Sequence, residues 1–194
     1  MERIGTALVY DDKTFDAAIY AGEVINGKEF QSCIFKSCDF SGTNLSGNKF
    51  IDCVFEGCNL STVQWGGSVL NNVEFKNCKI LGVIFSDCHD LLFTVQFENC
   101  NLDYNSFMGK KMIKTKFINC SLKEATFSNA NLAASVFQKT DLLGAIFNRT
   151  DLTEVNFETA FNYAIEPELN TIRKASFSLD GLPGLLSSYQ IKVV

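Results

Sequence analysis

An apolar residue recurs at every fifth position from Phe15 through Tyr20, Ile25, Phe30, Phe35, Phe40, Leu45, Phe50 and Phe55 to Phe85. After a slip of two the series resumes at Leu92, Phe97, Leu102, Phe107, Met112, Phe117, Leu122 and Phe127 and runs to Phe157. A spacing of five fits neither the 3.6-residue period of a helix nor the 2.0 of a flat strand, so ordinary amphipathic elements are excluded. Repetition on this scale is the signature of a solenoid, whose repeats bury their apolar faces against one another. Two positions before the centres stands a second, smaller inward residue: Cys33, Cys38, Thr43, Cys53, Cys58, Val73, Cys78, Val83, Val95, Cys100, Cys120, Ala125, Ala130 and Ala145.

Composition narrows the function. The 194 residues suit one domain, with 18 Phe against one Trp, one His and two Pro. With 17 basic and 22 acidic side chains the net charge is −5, which argues against general DNA or RNA binding, since tracking phosphates requires a basic excess. No apolar run approaches the roughly 18 residues of a membrane span. The start, MERIGTALVYDDKTF, lacks the charged-then-apolar layout of a signal peptide, so a cytoplasmic protein with no membrane partner is expected.

The words CDF at 38–40, TNL at 43–45, CNL at 58–60 and 100–102, ANL at 130–132 and TDL at 140–142 and 150–152 resemble the pentapeptide-repeat family, whose consensus is A-(D/N)-L-x-x. The resemblance implies an all-β fold, a right-handed quadrilateral β-helix with one pentapeptide per side. Sorted by side, Phe15, Phe35, Phe55, Phe75, Phe97, Phe117, Phe137 and Phe157 form an unbroken core column. Twenty-nine pentapeptides make about seven coils, a rod about 35 Å long at the usual strand spacing. For the column to survive the slip, Leu92 must follow Phe85 as the next inward centre, with a two-residue corner bulge within His89, Asp90 and Leu91. The expected organisation is an N-terminal cap at 1–12, the β-helix at 13–159, and a C-terminal cap and dimerisation segment at 160–194.

Every cysteine falls on the small inward position, and Cys38, Cys58, Cys78, Cys100 and Cys120 stack on successive coils. They read as small hydrophobes and free thiols, not as a zinc site, which needs ligands converging on one point. His89 has no Ser-His-Asp or Cys-His-Asn pattern around it, and Asp11-Asp12 reads as a turn. No phosphate-binding glycine loop or metalloprotease motif occurs, so neither enzyme activity nor a catalytic residue, metal or cofactor is expected.

A solenoid must cover its two open ends. Ala7–Tyr10 reads as a short strand at one end. At the other, Ile165-Glu166-Pro167 marks a turn, Ser178–Leu186 a short capped helix with Leu182, Leu185 and Leu186 on one face, and Gln190–Val194 a final strand. The tail, FNYAIEPELNTIRKASFSLDGLPGLLSSYQIKV, resembles the ending of chromosomal quinolone-resistance-like members. In those relatives such tails pair two subunits, and the rod binds DNA gyrase or topoisomerase IV by mimicking a DNA segment. That resemblance implies a homodimer through Leu182, Leu185 and Leu186 and an acidic partner surface at Asp39, Asp52 and Glu56.

Charge weighs against close mimicry, because no side carries a dense acidic ladder; residues 1–97 hold 7 basic and 12 acidic side chains, so acidity gathers in the N-terminal half. Lys110, Lys111, Lys114 and Lys116 read as a solvated basic corner. The long loops of resistance-type members are absent. An alternative interaction surface is the fourth side, where Ile51, Val69, Leu91, Phe93, Ile113 and Ala133 line up as outward positions, with Leu91, Phe93 and Ile113 as candidate contacts for a structural or regulatory scaffold.

Overall fold

Each pentapeptide forms one side of a coil in the computed structural model, which describes residues 3–192. The central residue and the one two before it turn inward, and the residue two after the centre makes the corner in the left-handed region. Ala17, Ser32, Asp52, Asn72, Asn99 and Asn119 all take φ between 49 and 53° there, a conformation that Asn, Asp and Gly adopt most readily. Corner side chains bond along the rod, as from Asn72 Nδ2 to Asp52 Oδ1 and from Asn119 Nδ2 to Asn99 Oδ1, each 2.7 Å.

Parallel pairing stacks the coils in the right-handed, four-sided β-helix that the repeat implies. The first side is a nine-stranded sheet that begins at Thr14–Asp16, Ile34–Lys36 and Val54–Glu56 and ends at Asn156–Phe157 and Ser176–Phe177. The fourth side carries Val9–Asp11, Glu29–Gln31, Lys49–Ile51 and Val69–Asn71. Single bridges such as Ile19 to Asp39 and Val24 to Asn44 hold the other two. Partners lie twenty apart, as Phe15 with Phe35, except across the slip, where Phe75 meets Phe97. Nine rungs give about eight turns, one more than the count of fives, because the ladder continues past Phe157 to Phe177. Their stack measures ~40 Å.

The Phe column is the core. Phe15 through Phe157 are buried, and rings one coil apart stack near-parallel, 4.5 Å between centroids for Phe35 and Phe55 and 4.8 Å for Phe117 and Phe137. Rings on adjacent sides meet edge to face, as Phe117 and Phe127 at 5.9 Å and 82°. Both are favoured geometries of the ring quadrupole. The small inward residues also donate to the carbonyl of the coil before: Thr43 Oγ1 to Tyr20 O at 2.7 Å, Ser68 Oγ to Leu45 O at 2.7 Å and Cys38 Sγ to Phe15 O at 3.3 Å. All eight cysteines are buried free thiols. Contact with the neighbouring thiols Cys100 and Cys58, together with burial, raises Cys78, and burial pushes Cys88 up to about 12.

At the N-terminal end, Arg3 lies 5.1 Å over the Tyr20 ring and donates to Ile19 O and Glu23, while Lys28 lies 5.8 Å over Tyr10 and donates to Gly5 O and Ala7 O. Cations thus sit over the first apolar coil. The C-terminal end differs from expectation. The segment around Leu182 is no α-helix but two 3₁₀ turns, Leu182–Leu185 and Ser187–Tyr189. Gly184 lies so close to the Tyr163 carbonyl and ring that no Cβ fits, which fixes the chain there, and Pro183 lacks the N–H a helix needs. Gln190 takes a left-handed φ of 53° and residues 191–192 form no strand; the rest of that expected strand lies outside the described residues. No helix among the described residues is long and apolar enough to cross a membrane.

Candidate interaction surface

The slip falls on the fourth side, directly after the last strand of its four-stranded sheet. There the chain leaves the coil at Cys88 and returns at Phe93. His89 N donates to Ser68 O and Thr94 N to Leu70 O, so both ends of the bulge are tied to the coil before it. Within it, His89 Nδ1 accepts from Leu91 N at 3.0 Å, a turn contact that gives this histidine a structural role.

Around the bulge the inward register differs from the one the spacing predicts. Leu92 does not become the inward centre: it turns the corner at φ 60° and is 59% exposed. Phe93, expected to face solvent, is 6% exposed and packs edge to face on Phe85 at 6.4 Å. The larger ring fills the gap that the lengthened coil opens, and burial of its area decides the register locally.

Lys110 differs from expectation as well. It is no part of a solvated corner: it occupies the small inward position two before Met112, with its side chain 2% exposed. Its Nζ donates to Cys88 O at 2.5 Å and to Asp90 Oδ1 at 2.6 Å, and lies 5.2 Å from the Phe93 ring centroid. Burying an ammonium is costly unless it is paired, and the bulge supplies all three partners. The Asp90 carboxylate, 85% exposed, is held below the usual carboxylate range by the hydrogen bond from Lys110. The spacing already marked Lys110 as inward; its charge alone suggested otherwise.

Outside this clasp, Leu91 is 64% exposed and Ile113 is exposed as expected. With Asp90, Leu92, Phe93, Thr94 and Lys111 they line a groove of about 390 Å³. Ile51, Val69 and Ala133 are only half exposed, so no continuous apolar stripe forms.

The acidic candidates stand apart from this groove. Asp39 Oδ1 accepts from Ser41 N at 2.9 Å, Asp52 accepts from Asn72, and Glu56 faces Lys36 at 3.9 Å. On the first side, register places Asp16, Lys36, Glu56, Lys76 and Glu98 on successive coils. Such alternation cancels charge along the rod. Of the cap leucines, Leu185 packs partly buried against the core, while Leu182 and Leu186 remain exposed. No group of three or more His, Cys, Asp or Glu that could hold a metal forms among the described residues.

These features define a β-helical rod with a self-compensating surface and one clasped bulge. The pentapeptide repeat region family matches residues 28–107 and 90–161, and the chain belongs to it. No curated protein sequence matches. Among solved structures, a trypsin-treated form of QnrB1, a plasmid-mediated fluoroquinolone resistance protein, aligns over 97% of this chain and 100% of its own, at TM-score 0.58 and 18% identity. HetL, a pentapeptide repeat protein involved in heterocyst differentiation regulation from the cyanobacterium Nostoc sp. strain PCC 7120, aligns over 90% and 88%, at TM-score 0.58 and 14% identity. These likenesses concern the fold.

Proposed function

We propose that the chain is a non-enzymatic protein-binding β-helix, a structural or regulatory scaffold of the cytoplasm. The observation that carries this reading is the clasped bulge, the one departure in pairing register among the described coils, with Leu91, Leu92 and Ile113 exposed beside it. Eight free thiols suit a reducing compartment. The test is affinity capture from an extract of the source cells, with Leu92→Asp and Ile113→Asp together as the control. Capture of a specific partner by the wild-type chain is the expected result and its failure would contradict the reading, while the double variant, which places unpaired charge in an apolar contact, reports whether the contact lies at the bulge.

A second reading is favoured by the likeness to QnrB1 and the net charge of −5. Here the rod binds DNA gyrase or topoisomerase IV in the resistance-like manner, as a DNA mimic, with residues 160–194 pairing two subunits through Leu182, Leu185 and Leu186. Purified protein then inhibits supercoiling, less so as salt rises, since charge complementarity is screened over about 10 Å at 0.1 M. Neutralising Asp39, Asp52 and Glu56 then weakens inhibition more than neutralising Asp141, Asp151 and Glu154. The alternating charges of the first side favour the scaffold.

A further inference from the structure

The bulge brings together two exposed leucines, a left-handed corner and a buried lysine. Leu91 and Leu92 point into solvent, Leu92 stands at φ 60°, and a lysine is buried to hold the turn. Each is unfavourable by itself. Exposed apolar side chains and left-handed corners recur along the rod, but the buried lysine and the two added residues belong to the bulge alone among the described residues, and the other coils close on a twenty-residue register without them. A device that works against the fold's own regularity points to a use outside the fold.

Charge identifies the use. The Asp90 carboxylate is engaged by Lys110, so the groove's remaining charge is the ammonium of Lys111. Lys114 turns the next corner and Lys116 begins the next strand. Among the described residues none of these three makes a salt bridge, whereas Lys36, Lys49, Lys76, Lys123 and Lys174 do. Lys111 therefore lies uncompensated in the groove beside Leu91, Leu92 and Ile113, with Lys114 at the next corner, while Lys116 lies on the first side with Glu74 and Glu98.

We propose that this groove docks a short segment of a partner protein that presents apolar side chains flanked by carboxylates, and that Lys110 is the positioning residue that presets it. This rests on the scaffold reading and adds to it the place and chemistry of the contact. Cations alone would suit a phosphate backbone, but three exposed aliphatic side chains among them favour a peptide, whose apolar groups they can cover.

The experiment is a titration of the full chain, its leucine and isoleucine methyls labelled for NMR, with a short capped peptide alternating leucine and glutamate. Shifts confined to the methyls of Leu91, Leu92 and Ile113, weakening with salt, are expected. A peptide alternating leucine and lysine should leave them unmoved. Leu92→Asp, a surface change, should lower affinity about tenfold or more. Lys110→Met, which keeps the buried volume but frees the turn, should weaken binding although both leucines are still present in the chain. Equal binding by Leu92→Asp, indifference to peptide charge, the same shifts from a single-stranded oligonucleotide, or shifts that follow protein concentration without peptide would each overturn the proposal. A captured protein that still binds the Leu92→Asp chain would also overturn it while leaving the scaffold reading intact.

Discussion

Phe75 stacks on Phe55 and Phe97 at 5.2 Å to each and is fully buried. Phe75→Ala should destabilise the rod by about 3 to 5 kcal/mol, whereas Glu74→Ala, which removes only a surface partner of Lys76, should change stability by about 1 kcal/mol or less. Denaturant unfolding of the two variants reads the difference, and equal losses would contradict the inward assignment. The thiols make a second residue-level test: with all eight buried, a thiol reagent should label none quickly in the folded chain and all after denaturation. The Lys110 clasp makes a third. Because Asp90 has a lower pKa folded than unfolded, its pairing stabilises the protein above the ordinary carboxylate value of about 3.9 and is lost as pH falls through the folded value. Below about pH 4 wild type should therefore lose melting temperature relative to Lys110→Met, a variant without that pairing. Parallel melting curves from pH 7 to 3 would remove the pair from the account.

At the scale of the element, the bulge can be edited. Removing His89 and Asp90 restores the twenty-residue spacing and carries Leu92 to the inward centre, but it strands the Lys110 ammonium. That deletion alone should cost about 3 to 5 kcal/mol, while the same deletion with Lys110→Val should recover most of the loss, as a regular coil. Urea midpoints of the pair measure it, and two variants of equal stability would show that Lys110 does not hold the turn. The four sides, the Phe column and the cysteine stack were legible in the spacing because burial at every fifth position leaves one register. The two-residue bulge was legible as a slip in that spacing, but its inward residue was not, since Leu92 and Phe93 are both apolar and adjacent, and three-dimensional room decided which turned inward. Lys110 was misread for the opposite reason: hydropathy excludes a lysine from the core, and only the Cys88 carbonyl, Asp90 and Phe93 admit it. The C-terminal turns escaped because Gly184 is set by the approach of Tyr163, a contact remote in sequence.

For the whole molecule, the ends and the surface decide behaviour. Removing residues 179–194 takes Gly184 from beside Tyr163 and Ile165 and Leu185 from against the core, and leaves an apolar cross-section. The truncated rod should aggregate in sedimentation experiments. Full-length protein sedimenting as a dimer would support pairing through Leu182, Leu185 and Leu186, whereas a monomer would limit the segment to a cap. The central claim is that the rod acts by docking another protein at its clasped bulge. It is tested most directly by comparing partner capture by the wild-type chain, by Leu92→Asp, and by the triple change Asp39→Asn, Asp52→Asn and Glu56→Gln. The triple variant should retain the wild-type partner and Leu92→Asp should release it. Retention by Leu92→Asp with loss in the triple variant would contradict the account and move the interaction to the acidic N-terminal half.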